Sequence, residues 1–463
     1  MTEPRRPETG DPPVSASTQP ARGTRDFLPE DVRRREFVVR HVRAVYERYG
    51  FEPLETPAIE NIETLLGKYG EEGNKLIFKI LRRGEHEASG EADLALRYDL
   101  TVPLARVVAR YRGDLPKFFK RYQIQPVWRA DRPARARFRE FYQCDIDTVG
   151  SSSPLVEVEQ IAAVSDVLQT LGFTDFSIRL NHRGVLAGLL ESSGIDPARH
   201  IDALVALDKR DKIGEEGVLR EMVARGIDQD AALRGLRLVQ PIGDEDRLPP
   251  TEAVRAMALR GLDATGAHRE ALETIEKIAR MAESTAAAGH VAFDPSLARG
   301  LSYYTGAIME IAVPDLAGSL GGGGRYDELI GMFLGQPLPA CGFSLGLERI
   351  LVVMAERSMF PAEVSCGAVD VLVTFWNEAT AAESVALASE LRAGGLRVDV
   401  YPEADRLGKQ FRYASSRNVP FVAVLGDEER ARGEVAVKDL RTGEQTAVAR
   451  RDVVPFVRKA IGA

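Results

Sequence analysis

The chain reads as an α+β domain built on an antiparallel sheet and interrupted by a helical insertion, followed by a smaller C-terminal α/β domain. Two short runs rich in aromatic and branched residues, RYQIQPVWRAD from Arg121 and EFYQCDIDTVG from Glu140, flank an Arg/Pro/Ala segment, the pattern of an antiparallel pair joined by a long loop. From about 183 to 289 the sequence is dominated by Ala, Leu, Glu and Arg at helical spacing with Pro and Gly breaks, as expected of a helical insertion. After Cys366 the apolar runs VDVLVTF, RVDVY and FVAVLG alternate with a helical stretch from Glu378 to Ala393, the texture of βαβ units.

Composition agrees with that division. A chain of 463 residues with 44% hydrophobic content is too long for one core and apolar enough for two or three. The net charge of -8 argues against a protein that coats nucleic acid non-specifically, so any contact with nucleic acid must be local. Cys144, Cys341 and Cys366 are far apart and form no CxxC pair, no signal peptide is evident, and a reducing, cytoplasmic setting follows as the expectation. The scattered histidines form no HExxH or Cys/His cluster, so no protein-held metal is assigned. The long uncharged run from Leu329 to Leu347 is interrupted by Gln336, Pro337, Pro339 and glycines, and reads as loop plus buried strand rather than a membrane span.

In chain order, residues 1–20 are rich in Pro, Thr, Ser and Glu and cannot offset their ordering entropy, so a disordered tail is expected there. The main domain is expected over 21–360. Within it, Val38, Val42, Val45 and Tyr49 make one helical stripe from Asp31 to Tyr49, ended by Gly50. Strand character resumes in LARGLSYYTGAIMEIAV and runs through the glycines 321–324 to CGFSLGLERILVVMAE, which passes from strand to helix. The last domain is expected over 366–463.

Strand alternation carries the first chemical argument. Gln123, Gln125, Val127, Arg129 and Asp131 share one face, and on the partner strand Phe141, Gln143, Asp145 and Asp147 do the same. Either half alone is also a plain hairpin with one wet face. The joining loop adds Arg132, Arg135, Arg137 and Arg139, planar bidentate donors suited to several phosphate oxygens, which makes a polyphosphate or an RNA end a sensible partner. The run Gly321 to Gly324 lacks the GK[ST] ending of a P-loop and does not fit GxGxxG in register; it suits a pocket wall that backbone must approach closely, or a flexible loop.

An arginine followed by an acidic residue, a loop and then R-x-x-x-F (Arg137 to Phe141) resembles motif 2 of class II aminoacyl-tRNA synthetases, and REFYQCDIDTVG is similar to the histidine-specific members. LARGLSYYTG (Leu297 to Gly306) resembles their arginine/tyrosine motif and GFSLGLER (Gly342 to Arg349) resembles class II motif 3. RGTRDFLP at Arg22, LRYDLTVPLAR (Leu96 to Arg106), GGGGRYDELIG and LGKQFRYASSRNVPFVAVLG extend the likeness over nearly everything except the tail and parts of the insertion. The fold implied is that of the class II synthetases, with a C-terminal anticodon-binding domain. The reaction implied is ATP-dependent attachment of L-histidine to tRNA(His) through an adenylate, with Mg2+ only as the partner of ATP.

The resemblance also implies roles. Arg129 would contact the α-phosphate, Arg137 and Arg349 the terminal phosphate, and Arg299 would sit between substrate carboxylate and α-phosphate, so that Arg129 and Arg299 border ATP and histidine alike. Phe141 would stack on adenine, and Asp131 would stand near it where some members carry glutamate. Asp147 and Tyr304 would read the imidazole, which suits discrimination because a mismatched side chain leaves buried polar groups unpaired. Asp99, Thr101 and Gln143 would bind the α-ammonium group, with Leu100 in the same segment and Tyr303 lining the pocket; their spacing puts Asp99 and Thr101 on one strand face. Lys409, Arg412 and Arg417 fall on or near a helix of the last domain, where they suit RNA contact or solvent equally. Pro57 resembles the motif 1 proline of a two-fold interface, which implies a homodimer. The rival reading is an inactive histidyl-synthetase-like regulatory or sensor paralogue, and the joint presence of Arg129, Arg137, Arg299 and Arg349 with a C-terminal domain opposes it. A ligase for threonine, proline or glycine is opposed by Asp147 together with RGLSYYTG. QCDID stands where many bacterial histidine enzymes carry a Gly-Cys-Glu version, so the carboxylate is one methylene shorter here.

Overall fold

The computed structural model describes residues 18–67, 73–82, 84, 90–240, 249–259, 266–300, 303–365 and 369–461. Nearly all of the expected disordered tail, and Cys366, lie outside them. The chain divides into two compact units, 1–359 and 360–463.

In the first unit α1 (Pro29–Arg48) begins with proline in its first turn and acidic Glu30 and Asp31 beside it, both favourable at a helix N-terminus. Gly50, at φ +75°, lies just beyond its end. Its buried stripe is Val38, Val42, Val45 and Tyr46. The buried aromatic is therefore Tyr46 rather than the expected Tyr49, one turn after Val42, and its hydroxyl donates to the Cys144 carbonyl at 3.1 Å. Strands β1 (Glu52–Pro53), β2 (Ile59–Asn61), β3 (Lys79–Leu81) and β4 (Ala92–Leu96) follow, then α2 (Thr101–Arg110), β5 (Phe119–Trp128), β6 (Glu140–Val149), α3 (Leu155–Thr170) and β7 (Ser177–His182).

The insertion is helical as expected: α4 (Arg183–Ser192), α5 (His200–Leu207), α6 (Arg210–Ala224), α7 (Gln229–Leu238), α8 (Pro250–Leu259) and α9 (Gly266–Ala282). The chain then returns to the sheet with β8 (Val291–Phe293), β9 (Ala307–Ala312), β10 (Gly321–Arg325) and β11 (Ala340–Gly346), and ends the unit on α10 (Leu347–Glu356). Among the described residues of LARGLSYYTGAIMEIAV, strand structure is thus confined to the second half. The segment carrying Arg299 precedes β9. No helix among the described residues is long and apolar enough to cross a membrane, and the uncharged run from Leu329 contains a one-turn helix (Gly331–Leu334) before β11.

The main sheet has the order β1-β5-β6-β11-β10-β9-β7-β8. Its six central strands pair antiparallel, and β1 and β8 add parallel at the two edges. A small antiparallel sheet, β2-β4-β3, stands apart from it. Register fixes what lies side by side. Arg121 is opposite Asp147, Gln123 opposite Asp145, and Gln125 opposite Gln143. Asp147, Asp145 and Gln143 in turn face Gly342, Ser344 and Gly346 of β11. Gly342 and Ser344 face Gly324 and Gly322 of β10, and Gly322 faces Glu310 of β9, which faces Arg179 of β7. Because alternate residues share a face, these groups form a polar strip across the sheet with glycines at its middle. The other face is apolar, with Cys144, Ile146, Phe343 and Leu345 fully or nearly fully buried, and α1, α3 and α10 pack against the unit's sheet or each other there.

The second unit is a five-stranded sheet in the order β13 (Val398–Val400), β12 (Val371–Val373), β14 (Phe421–Val424), β15 (Glu434–Asp439), β16 (Gln445–Ala449). β12 pairs parallel with β13 and β14, and β15 and β16 add antiparallel. Helices α11 (Ala381–Ala393), α12 (Leu407–Ser416) and α13 (Val453–Ile461) complete it, and separate apolar clusters occupy its two faces.

Candidate active site

The glycines at the middle of the strip leave a hollow. A Cβ on Gly342 would stand 1.9 Å from Asp147 Oδ1, so the carboxylate occupies the space a side chain would need. Over this hollow lies a cavity of about 900 Å³ lined by Asp99, Thr101, Arg129, Asp131, Arg137, Phe141, Gln143, Asp147, Arg299, Tyr303, Tyr304 and Arg349, all of them expected from sequence. Leu100 is the exception. Its side chain is buried in the core, and its carbonyl accepts from Arg121 Nη2 at 3.3 Å.

Three of the side chains reach the cavity by a different route from the one expected. Strand β5 ends at Trp128; the Arg129 N–H still bonds the Arg139 carbonyl in the same register, and only the Ala130 N–H turns away, to Leu76. Arg129 therefore continues the face of Val127, over Phe141, and the chain leaves the sheet between it and Asp131. Asp99 and Thr101 are not on a strand either. Thr101 opens α2, and Asp99 Oδ1 accepts from the Val102 N–H at 3.1 Å, satisfying one of the free donors at the helix start. Pro103 is tolerated because the first turn has no partner for its missing N–H.

The guanidinium groups converge. Arg129 donates to the Tyr98 carbonyl at 3.0 Å and to Gln143 Oε1 at 3.4 Å, and stacks over Tyr98 and Phe141 with 4.4 and 5.1 Å to the ring centroids. Arg137 holds Asp131 at 2.6 Å. Arg299 donates through Nε to Glu310 at 2.7 Å and through Nη1 to Asp208 at 3.1 Å. Arg349 donates to the Ser319 carbonyl. Burial lowers the pKa of Arg349, and the cations of Arg137 and Arg299 lower it further. Such a cluster of like charges favours an anionic occupant. Of the other loop arginines, Arg135 pairs with Glu356 and Arg139 with the carbonyls of Asp131 and Arg22, while Arg132 is exposed.

Away from these cations, at the Asp147 end of β6, the cavity wall is buried. Asp147 is 2% exposed and its Oδ2 lies 2.7 Å from Nη2 of Arg121, which is 0% exposed, close enough to pair though not aligned as a hydrogen bond. The Tyr326 hydroxyl donates to Asp147 Oδ1. The hydroxyl on this carboxylate is thus that of Tyr326, while Tyr304 packs beside Tyr303 with 4.7 Å between ring centroids. Gly300, at φ +61°, makes room for the Tyr304 ring, which a Cβ would meet at 1.9 Å. Burial pushes Asp147 up to about 7 and Asp145 up to about 6; Arg121 opposes both shifts. Gln143 donates to Ser344 Oγ at 2.7 Å. Glu348, buried at the start of α10, is pushed up to about 7 and accepts from the Tyr142 N–H at 2.9 Å.

The sequence reading places Asp145 in the polar row without a role, and singles out none of Arg121, Tyr326, Glu310 and Asp208. Arg121 shares the parity of Gln123 and Gln125, and Glu310 is a lone charge in an apolar run; both signals were present. Cys144 and Cys341 are buried free thiols outside this polar strip. Among the described residues no group of acidic, His or Cys side chains is arranged to hold a metal ion. In the second unit Lys409 pairs with Asp405 at 2.9 Å, Arg417 pairs with Asp399, and Arg412 bonds the Gly408 carbonyl at 3.2 Å.

The chain resembles known proteins along nearly its whole length. Residues 23–350 match the family model described as histidyl-tRNA synthetase, and residues 370–460 match the anticodon binding domain. It is 40% identical to a histidine–tRNA ligase of Flavobacterium johnsoniae over 92% of this chain and 96% of that protein. A histidine–tRNA ligase of Porphyromonas gingivalis is 42% identical over 92% of this chain and 95% of its own length. Among solved structures, a histidyl-tRNA synthetase from a Nostoc species superposes with a TM-score of 0.80 at 30% identity, covering 96% of this chain and 100% of that one. With both family models matched in order and the sheet, cavity and C-terminal unit in place, the chain belongs to the histidyl-tRNA synthetase family.

Proposed function

We propose that this chain attaches L-histidine to tRNA(His) in two steps within the cavity over the glycine hollow. In the first, a histidine carboxylate oxygen attacks the α-phosphorus of ATP, bound with Mg2+ as the substrate complex, and the bond to the β-phosphate oxygen breaks to release pyrophosphate. In the second, a terminal ribose hydroxyl of the tRNA attacks the acyl carbon of the adenylate and AMP leaves. Both steps are governed by positioning and by neutralising charge as it develops, work suited to fixed guanidinium groups.

In this reading Arg129 meets the α-phosphate, Arg137 and Arg349 the terminal phosphate, and Arg299 bridges the histidine carboxylate and the α-phosphate. Phe141 stacks on adenine near Asp131. Asp147 selects the imidazole, with Tyr303 and Tyr304 lining the pocket, and Asp99, Thr101 and Gln143 take the α-ammonium group. The C-terminal unit contacts the tRNA. The segment around Pro57 forms the interface of a homodimer, and the protein works in the cytoplasm.

One observation carries the reading: four arginines from three separate stretches of the sequence border the same cavity as a buried carboxylate. The test is ATP–pyrophosphate exchange measured with each amino acid in turn. Exchange that depends on histidine alone is the expected result; equal stimulation by other amino acids would overturn the substrate assignment.

A further inference from the structure

The groups that hold Arg299 come from two different parts of the fold. Glu310 sits on β9, is 4% exposed, and is itself fixed by Arg179 of the neighbouring strand at 3.1 Å. It accepts from Arg299 Nε. Asp208 belongs to the helical insertion, at the residue that ends α5, and accepts from Arg299 Nη1 at 3.1 Å. A guanidinium held by one nitrogen can still pivot about that bond. Held by two nitrogens on partners from separate elements, its plane is fixed.

The turn that carries Asp208 is built to stay where it is. Lys209, next in sequence, pairs with Glu221 at 2.6 Å, and Arg210 pairs with Glu215 at 2.8 Å, so both tie the turn back onto α6. Lys212 lines the same cavity as Arg299, which shows that the turn faces the site. Gly214, at φ +67°, kinks α6 just beyond it and sets this first turn at an angle to the rest of the helix. Three consecutive side chains thus divide their work, two holding the insertion together and one crossing to the arginine.

We infer that Asp208 is a positioning residue for adenylation: the insertion completes the active site by clamping the Arg299 guanidinium against Glu310. The inference rests on the proposed role of Arg299. Its physical basis is that a donor preset in the plane needed by the transition state costs no reorganisation during reaction, whereas one free to swing must be ordered each time. Asp208 itself need not touch substrate.

The experiment compares Asp208→Ala, Asp208→Asn and Asp208→Glu in the full chain, by histidine-dependent pyrophosphate exchange without tRNA. Asp208→Ala should lower kcat about 10- to 100-fold while the KM values for ATP and histidine change less than about threefold, since orientation rather than ground-state binding is lost. Asp208→Asn keeps an acceptor without the charge and should fall between the wild type and the alanine variant. Asp208→Glu should restore most of the rate. Melting temperatures are measured alongside. Unchanged or faster exchange in Asp208→Ala, a rise in KM alone, or a rate loss that tracks lowered melting across all three variants would each overturn the clamp. Absence of histidine-dependent exchange in the wild type would instead sink the functional reading itself.

Discussion

Around Asp147 the cavity wall is buried, and the carboxylate's partners, Arg121 and Tyr326, are protein groups fixed on or beside the sheet. Around Arg137, Arg299 and Arg349 the guanidinium groups stand partly in solvent on a loop, on the approach to β9 and on a helix start, and all three line the cavity. One region is assembled by folding and the other waits for a substrate. The difference teaches where each kind of defect should register. A change among the cations should alter rate and leave stability nearly intact, whereas a change at the buried carboxylate should reach binding and stability together.

The largest effect expected from that contrast is on the cationic side. Arg299→Ala should lower pyrophosphate exchange by about a thousandfold, the upper range for removing one donor aimed at developing charge. Its melting temperature should fall by only a few degrees, because the pair with Asp208 is partly solvent-exposed and the buried Glu310 keeps its pair with Arg179. A large loss of stability would mean that Arg299 is part of the framework and that the contrast drawn above is wrong.

Tyr326→Phe probes the buried side with a smaller change. It deletes the hydroxyl that donates to Asp147 while keeping the ring that packs against Tyr303 at 6.4 Å between centroids. A hydrogen bond to a charged group contributes about 1.5 kcal/mol or more, so the KM for histidine should rise about tenfold with kcat little changed. The Tyr326 hydroxyl also lowers the pKa of Asp147, and its removal should move the pH dependence of histidine binding toward higher pH. An unaltered KM would show that the carboxylate is oriented without the phenol.

The same contrast explains what was legible before the structure. Local patterns carried most of the cation-bearing side: the hairpin, its arginine loop and the strand-to-helix passage at Gly346 follow from period-two alternation and turn residues. So did the row Phe141, Gln143, Asp145, Asp147. What failed was continuation beyond an element's end. Period-two alternation carries Asp131 along a strand whose pairing ends at Arg129, and puts Asp99 on a strand although an aspartate shortly before a proline is a common helix-start signal. The partners of Asp147 depend on register. Tyr326 meets it only because β10 and β11 pair so that Gly324 lies beside Gly342, and no local pattern states which of several tyrosines will arrive. Asp208 was still less accessible, since it stands in a charged helical segment whose residues look alike until the insertion packs against the sheet.

A last test reaches the buried side through protons alone. Burial raises the Asp147 carboxyl from its ordinary 3.8 to about 7 in the folded chain. Between those values the unfolded chain releases the proton and the folded chain retains it, so the folded state binds more protons and this group's contribution to stability falls as pH rises. Below the lower value both states are protonated and nothing changes; above the upper value both are ionised and the loss is complete. Asp147→Asn removes that titration while nearly preserving shape. The melting temperature of the wild type relative to Asp147→Asn should therefore decline steadily from about pH 4 to about pH 7 and level off beyond, as followed by thermal melts across that range. A difference that grows with pH would mean that Arg121 outweighs burial, holding Asp147 ionised below its ordinary range, and that this end of the cavity presents a full negative charge to an incoming imidazole at every pH at which the protein works.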